Sequence, residues 1–85
     1  MMKKMTVTRF THLQQTGTIN EYTHEWGVLA TRFPNLTKDQ LLKLYISGIK
    51  PIIRSELRLS RPTNLMEARS MAKVIERKLN TQHDF

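Results

Sequence analysis

Three times in 85 residues a Thr or Asn three positions ahead of Glu or Gln opens a stretch of helical apolar spacing. The segments are Thr18-Ile19-Asn20-Glu21, Thr37-Lys38-Asp39-Gln40 and Asn64-Leu65-Met66-Glu67. In each the first side chain can accept from the amide three residues on, while the Glu or Gln reaches back to the amide of the cap. The first two are capping boxes and the third is an Asn-capped variant, so three helix starts are written into the chain.

Punctuation sets the helix ends. The first helix is predicted from about Ile19 to Phe33, with Ile19, Tyr22, Trp26, Leu29 and Phe33 on one stripe and Pro34 ending it. The second is predicted over Lys38 to Ser47, stopping at Gly48 as a left-handed cap. Pro51 suits the first position of a third helix through about Leu59. Ser60-Arg61-Pro62-Thr63 reads as a turn. The last helix, about Leu65 to Leu79, places Leu65, Ala68, Ala72, Ile75 and Leu79 on one side and Arg69, Lys73, Glu76 and Arg77 largely on the other. Phe10 and Leu13 hint at a short opening helix on the core, and strand signals are confined to Thr6-Val7-Thr8. The expected fold is all-α, a small bundle of four helices with a short extra N-terminal helix as an option. Its core would comprise Ile19, Tyr22, Trp26, Leu29, Phe33, Leu42, Tyr45, Ile46, Leu65, Ala68, Ala72 and Ile75. Residues 1–9 read as a linker or appended segment, 10–80 as one helical domain and 81–85 as a tail.

Composition narrows the function. With no cysteine, a disulfide framework and a zinc knuckle are both excluded. His24-Glu25 begins like a zinc-protease motif, but the second histidine would fall on Val28. His12, His24 and His83 are scattered, the three glycines are too far apart for a phosphate loop, and Glu21 is already a cap. No catalytic site, metal, cofactor or small-molecule substrate is therefore expected. Met1-Met2-Lys3-Lys4-Met5 is not followed by a signal-peptide apolar run, and no stretch approaches the ~20 apolar residues of a membrane span, which points to a cytoplasmic protein. The Asn35-Leu36-Thr37 sequon then has no use beyond the cap at Thr37. Gly27, inside the first helix, marks either tolerance on an open turn or the close approach of another backbone.

Phe10-Thr-His-Leu-Gln-Gln-Thr-Gly-Thr-Ile-Asn-Glu-Tyr22, Trp26, Leu41-Leu42, the Tyr45 to Arg54 segment and Pro62-Thr63-Asn64-Leu65-Met66-Glu67-Ala68 form, in that order, a further pattern. It resembles the gag capsid region of gypsy-type long-terminal-repeat retrotransposons, especially plant ones, over about Phe10 to Lys78. The resemblance implies the C-terminal domain of a capsid protein, like that of retroviruses: a structural unit that dimerises and links rings into the shell of a virus-like particle. Gln15, Thr18 and Glu21 would belong to a polar network resembling the retroviral major homology region. Glu25 stands where an arginine is common, so that network does not carry over whole. Trp26 and Tyr45 replace the usual Phe. A domesticated gag domain used for protein pairing, or a basic helix-turn-helix nucleic-acid module, are the alternatives.

Helical-wheel arithmetic gives an independent view of the assembly surface. With Leu41 at zero and ~100° per residue, Tyr45, Ile49, Leu42 and Ile46 fall at about 40°, 80°, 100° and 140°. Leu44, at about 300°, lies roughly 130° from the centre of that arc and is expected outside, among Gln40, Lys43 and Ser47. A homodimer contact is accordingly expected at Gln40, Leu41, Lys43, Leu44 and Ser47. Met71, Val74 and Lys78 flank the main stripe of the last helix and read as part of a wide buried face. Fourteen Lys and Arg against seven Asp and Glu give a net charge of +7. Lys50, Arg54, Arg58 and Arg61 cluster around the third helix, and Arg69, Lys73 and Arg77 recur along the last. These are candidates for weak, nonspecific RNA contact, set against the plainer role of a solvated face.

Overall fold

The computed structural model describes residues 10 and 12–83; the predicted linker at 1–9 and the end of the predicted tail lie outside the described residues. Four helices follow in order: α1 (Ile19–Ala30), α2 (Lys38–Ser47), α3 (Pro51–Ser60) and α4 (Leu65–His83). The fold is an all-α four-helix bundle with no strand among the described residues. Phe10 and His12, ahead of α1, also have helical backbone. Helix α4 is the hub, with α1, α2 and α3 each packing on it. Ala68 and Ala72 are fully buried on its inner face, where a small side chain lets the other helices approach closely.

The local caps form as their chemistry requires. Thr18 Oγ1 accepts from the Glu21 amide at 3.2 Å, and Glu21 Oε1 accepts from the Thr18 amide at 3.0 Å. Thr37 and Gln40 repeat the arrangement at 3.1 and 2.9 Å. At α4, Asn64 Oδ1 takes the Glu67 amide at 2.8 Å, but Glu67 reaches one residue further back than expected, to the amide of Thr63 at 3.0 Å. Pro51 opens α3 at its first turn, and Arg61 closes it in the left-handed region at φ 52°.

Two helix ends differ from expectation. Helix α1 stops at Ala30, because its last turn tightens: the Arg32 and Phe33 amides donate to the carbonyls three residues back, of Leu29 and Ala30. Pro34 then holds Phe33 out of the helix. Helix α4 runs past Leu79 to His83, since nothing from Asn80 to His83 breaks it and Thr81 Oγ1 bonds back to the Arg77 carbonyl at 2.9 Å.

The core is an aromatic cluster in an aliphatic frame. Trp26 meets Tyr45 edge-on with centroids 5.3 Å apart, Tyr22 lies 5.4 Å from Tyr45, and Phe10 bridges Trp26 at 5.5 Å to Phe33 at 4.9 Å. Ile19, Tyr22, Trp26, Leu29, Tyr45, Ala68, Ala72 and Ile75 are buried, as are Phe10, Ile49, Ile53 and Leu57. Phe33, Leu42, Ile46 and Leu65 pack on this cluster half-buried. The buried face of α4 is narrower than predicted: Met71 is half-buried, but Val74 and Lys78 are exposed, and Lys78 pairs with Glu56 at 2.9 Å.

Candidate functional site

Gln15 sits in the turn before α1 and is only 7% exposed, although it is polar. Its buried amide is satisfied from three directions. Its Nε2 donates to the Gly17 carbonyl at 3.0 Å and to Glu76 Oε2 at 3.3 Å, while its Oε1 accepts from the Lys50 amide at 3.0 Å. Its own backbone amide donates to the Gly48 carbonyl at 2.7 Å. Glu76 Oε2 also accepts from the Ile19 amide at 2.8 Å, placing a carboxylate at the amino end of α1, where the helix dipole favours negative charge. One junction therefore ties the opening turn, α1, the α2–α3 corner and α4.

The predicted polar network divides in two. Gln15 is its buried centre, but Thr18 and Glu21 make only their own exposed capping box and do not bond to it. Hydrogen bonds from the Thr18 amide and hydroxyl hold the Glu21 carboxyl below its ordinary value of 4.5. The partner missing from the sequence reading is Glu76, which lies 61 residues from Gln15 and looked like one more charge on an outer face.

Gly48 joins the same junction for a reason other than the predicted left-handed cap. Its φ is −91°, a conformation open to any residue, but a Cβ there would run into the Leu13 carbonyl oxygen and the Tyr22 hydroxyl. Close approach, not backbone freedom, demands glycine. Gly27 is the opposite case, with open space where its side chain would be, so no backbone approaches it among the described residues.

A second set of polar groups lies deeper. Tyr22 Oη donates to the Tyr45 carbonyl at 2.7 Å, and the Tyr45 and Thr23 hydroxyls are 2.7 Å apart. Burial pushes the Tyr22 phenol well above its ordinary value near 10, reinforced by Tyr45 and opposed by the Gly48 backbone. Burial also raises Tyr45, opposed by the bond from Thr23 and the charge of Arg69. Trp26 Nε1 is the one buried side-chain polar atom without a hydrogen-bond partner among the described residues.

On the surface predicted for self-association, Gln40, Lys43 and Ser47 are exposed, and Lys43 pairs with Asp39 at 3.3 Å. Leu44 departs from the expected outward position. It is half-buried and touches the core cluster, because the neighbouring helices reach further around this short helix than its wheel centre suggests. Leu41, also half-buried, opens with Lys38, Asn64, Leu65 and Met66 onto a shallow groove of about 470 Å³. Met66 is 78% exposed there.

The basic residues are not equivalent. Arg54 is half-buried and its guanidinium donates to the Ser47 carbonyl at 3.1 Å. Lys50, Arg58, Arg61, Arg69, Lys73 and Arg77 are exposed. Helix α3 presents Ile52 and Leu59 to solvent, 62% and 82% exposed, in place of the polar row that reads base edges. Glu21, His24 and Glu25 line an open groove with Val28, Leu29 and Arg32, and no group of three His, Cys, Asp or Glu suited to a metal occurs among the described residues. No helix there is long and apolar enough to cross a membrane. Comparison with protein-family models, curated proteins and solved structures finds no match.

Proposed function

We propose that this chain is a structural capsid domain of a gag-type polyprotein, a helical building block that pairs with copies of itself toward a virus-like particle in the cytoplasm. The observation that carries this reading is the junction at Gln15. The segments on which the gag resemblance rests, Phe10 to Tyr22 and Tyr45 to Arg54, are the ones that interlock there, through Gln15 with Gly48 and Lys50 and through Tyr22 with Tyr45. Gly48, a fixed point of the resembling pattern, has a specific physical task, to admit Leu13 and Tyr22. A motif of this kind builds a rigid block, not a reaction centre.

Self-association follows from size. A single core in a chain this short supplies roughly 3–5 kcal/mol, and pairing adds stability by mass action. The face assigned to pairing is that of α2 bearing the exposed Gln40, Lys43 and Ser47 with the half-buried Leu41 and Leu44 at its edge, and the Leu41 groove beside it. Sedimentation of Leu44→Asp and of Lys43→Glu across a concentration series tests the assignment, with circular dichroism confirming the helices. The expected result is a self-association constant weakened about tenfold, roughly 1.4 kcal/mol, in both. If neither variant differs from the native chain, pairing does not use α2.

A further inference from the structure

Helix α4 has an outward face that no other element covers among the described residues. On a helical wheel Met66, Arg69, Ser70, Lys73, Val74, Arg77 and Thr81 fall within one arc, and every one of them is exposed. The arc contains three cations and no carboxylate: Glu67 and Glu76 lie off it, engaged with Thr63 and with the Gln15 junction. None of the three cations forms an ion pair among the described residues, whereas Lys43 and Lys78 do. The basic set read from the sequence is therefore sorted by the fold. Arg54 is occupied with Ser47, while Arg69, Lys73 and Arg77 stand exposed in a row.

Their spacing is regular. Residues four apart on a helix are ~6 Å apart along its axis, so the three charges span ~12 Å on a rigid rod. Phosphates along one strand advance ~3.4 Å each, so that span faces about three or four of them. Met66 and Val74, 78% and 61% exposed, flank the row with small apolar surface, without the aromatic or leucine-rich face by which a helix enters a lipid interface.

We infer that the outward face of α4 is a binding surface for the phosphodiester backbone of nucleic acid, with Arg69, Lys73 and Arg77 each neutralising one phosphate. The recognition is of charge and spacing, since the three cations are the dominant feature of the arc and Ser70, Asn80 and Thr81 are its only uncharged polar side chains. The surface adjoins the Leu41 groove at Met66, but its three cations lie outside the face assigned to pairing.

The test is fluorescence anisotropy with a labelled single-stranded RNA of mixed sequence, titrated at several potassium chloride concentrations. Three phosphate contacts on a single strand give a log–log salt slope of about −2, so native affinity falls about twentyfold between roughly 50 and 200 mM salt. Arg69→Gln/Lys73→Gln/Arg77→Gln should bind weakly with a nearly flat slope, and Lys73→Gln alone should flatten it by about 0.7. Arg58→Gln/Arg61→Gln, exposed cations at the end of α3, should leave most of the slope in place. The inference fails if the native chain binds no RNA at the lowest salt, if the α4 triple variant keeps the native slope, or if the α3 pair removes as much as the triple. It also fails if phosphatidylserine vesicles capture the native chain through these same three residues while RNA does not.

Discussion

Replacing Gln15 by Leu keeps most of the side-chain volume and removes all of its side-chain hydrogen bonds, so the change in stability reads the junction. Three bonds are lost: Nε2 to the Gly17 carbonyl, Nε2 to Glu76, and the Lys50 amide to Oε1. The two neutral bonds are worth about 1 kcal/mol each and the one to the carboxylate about 1.5 kcal/mol at its length of 3.3 Å. All three are partly buried, so water recovers a fraction of the loss, leaving an expected cost of about 2–3 kcal/mol. Against a total of roughly 0.05–0.15 kcal/mol per residue, that is a large share of the stability of the domain. In urea titration followed by circular dichroism, with a slope near 1 kcal/mol/M for a chain this small, the midpoint should fall by about 2–3 M at unchanged slope. Gln14→Leu, at the exposed neighbouring position, should move it by less than about 0.5 M. A midpoint for Gln15→Leu within that same margin would refute the claim that this side chain joins the opening turn, the α2–α3 corner and α4.

The two informative glycines should respond in opposite directions. Gly27→Ala, facing open space in α1, should raise stability by up to about 1 kcal/mol in the same titration, whereas Gly48→Ala should lower it by about 1–3 kcal/mol as Leu13 and Tyr22 are displaced. The tyrosines give a pH prediction. Both phenols of the chain have folded-state values raised above the ordinary one near 10, so their contribution to stability is complete below that pH and is lost as pH rises toward the folded values. An absorbance titration should show no tyrosinate step near pH 10 while the helices persist, and ionisation should coincide with unfolding; a step at pH 10 in a folded protein would contradict the burial argument.

What the sequence made legible is what local chemistry decides. Thr18 with Glu21 and Thr37 with Gln40 lie within one turn of each other, so their pairing follows from spacing alone, and the helix starts came with it. The stripe from Ile19 to Leu29 and the small buried positions Ala68 and Ala72 were legible for the same reason, as was the four-helix count. The junction was not. Gln15 was singled out through resemblance, but its partner Glu76 is fixed only by how α4 crosses the start of α1, which no local pattern encodes. Gly48 was recognised as significant for the wrong cause, because the side chain and backbone that crowd it come from 26 and more residues upstream. Ile53 and Leu57, one turn apart on α3, were recoverable from their spacing, but a short helix alternating basic and apolar residues hid which apolar face turned inward. Leu44 shows the limit of a wheel, which gives direction but not how far neighbouring helices reach around.

The proposal that copies of this chain join one another is tested most directly by sedimentation equilibrium of the native protein from about ten micromolar to about one millimolar. The account predicts a mass that rises with concentration from the 10.0 kDa of one chain toward the dimer or beyond. A mass that stays at one chain across the whole range would contradict it.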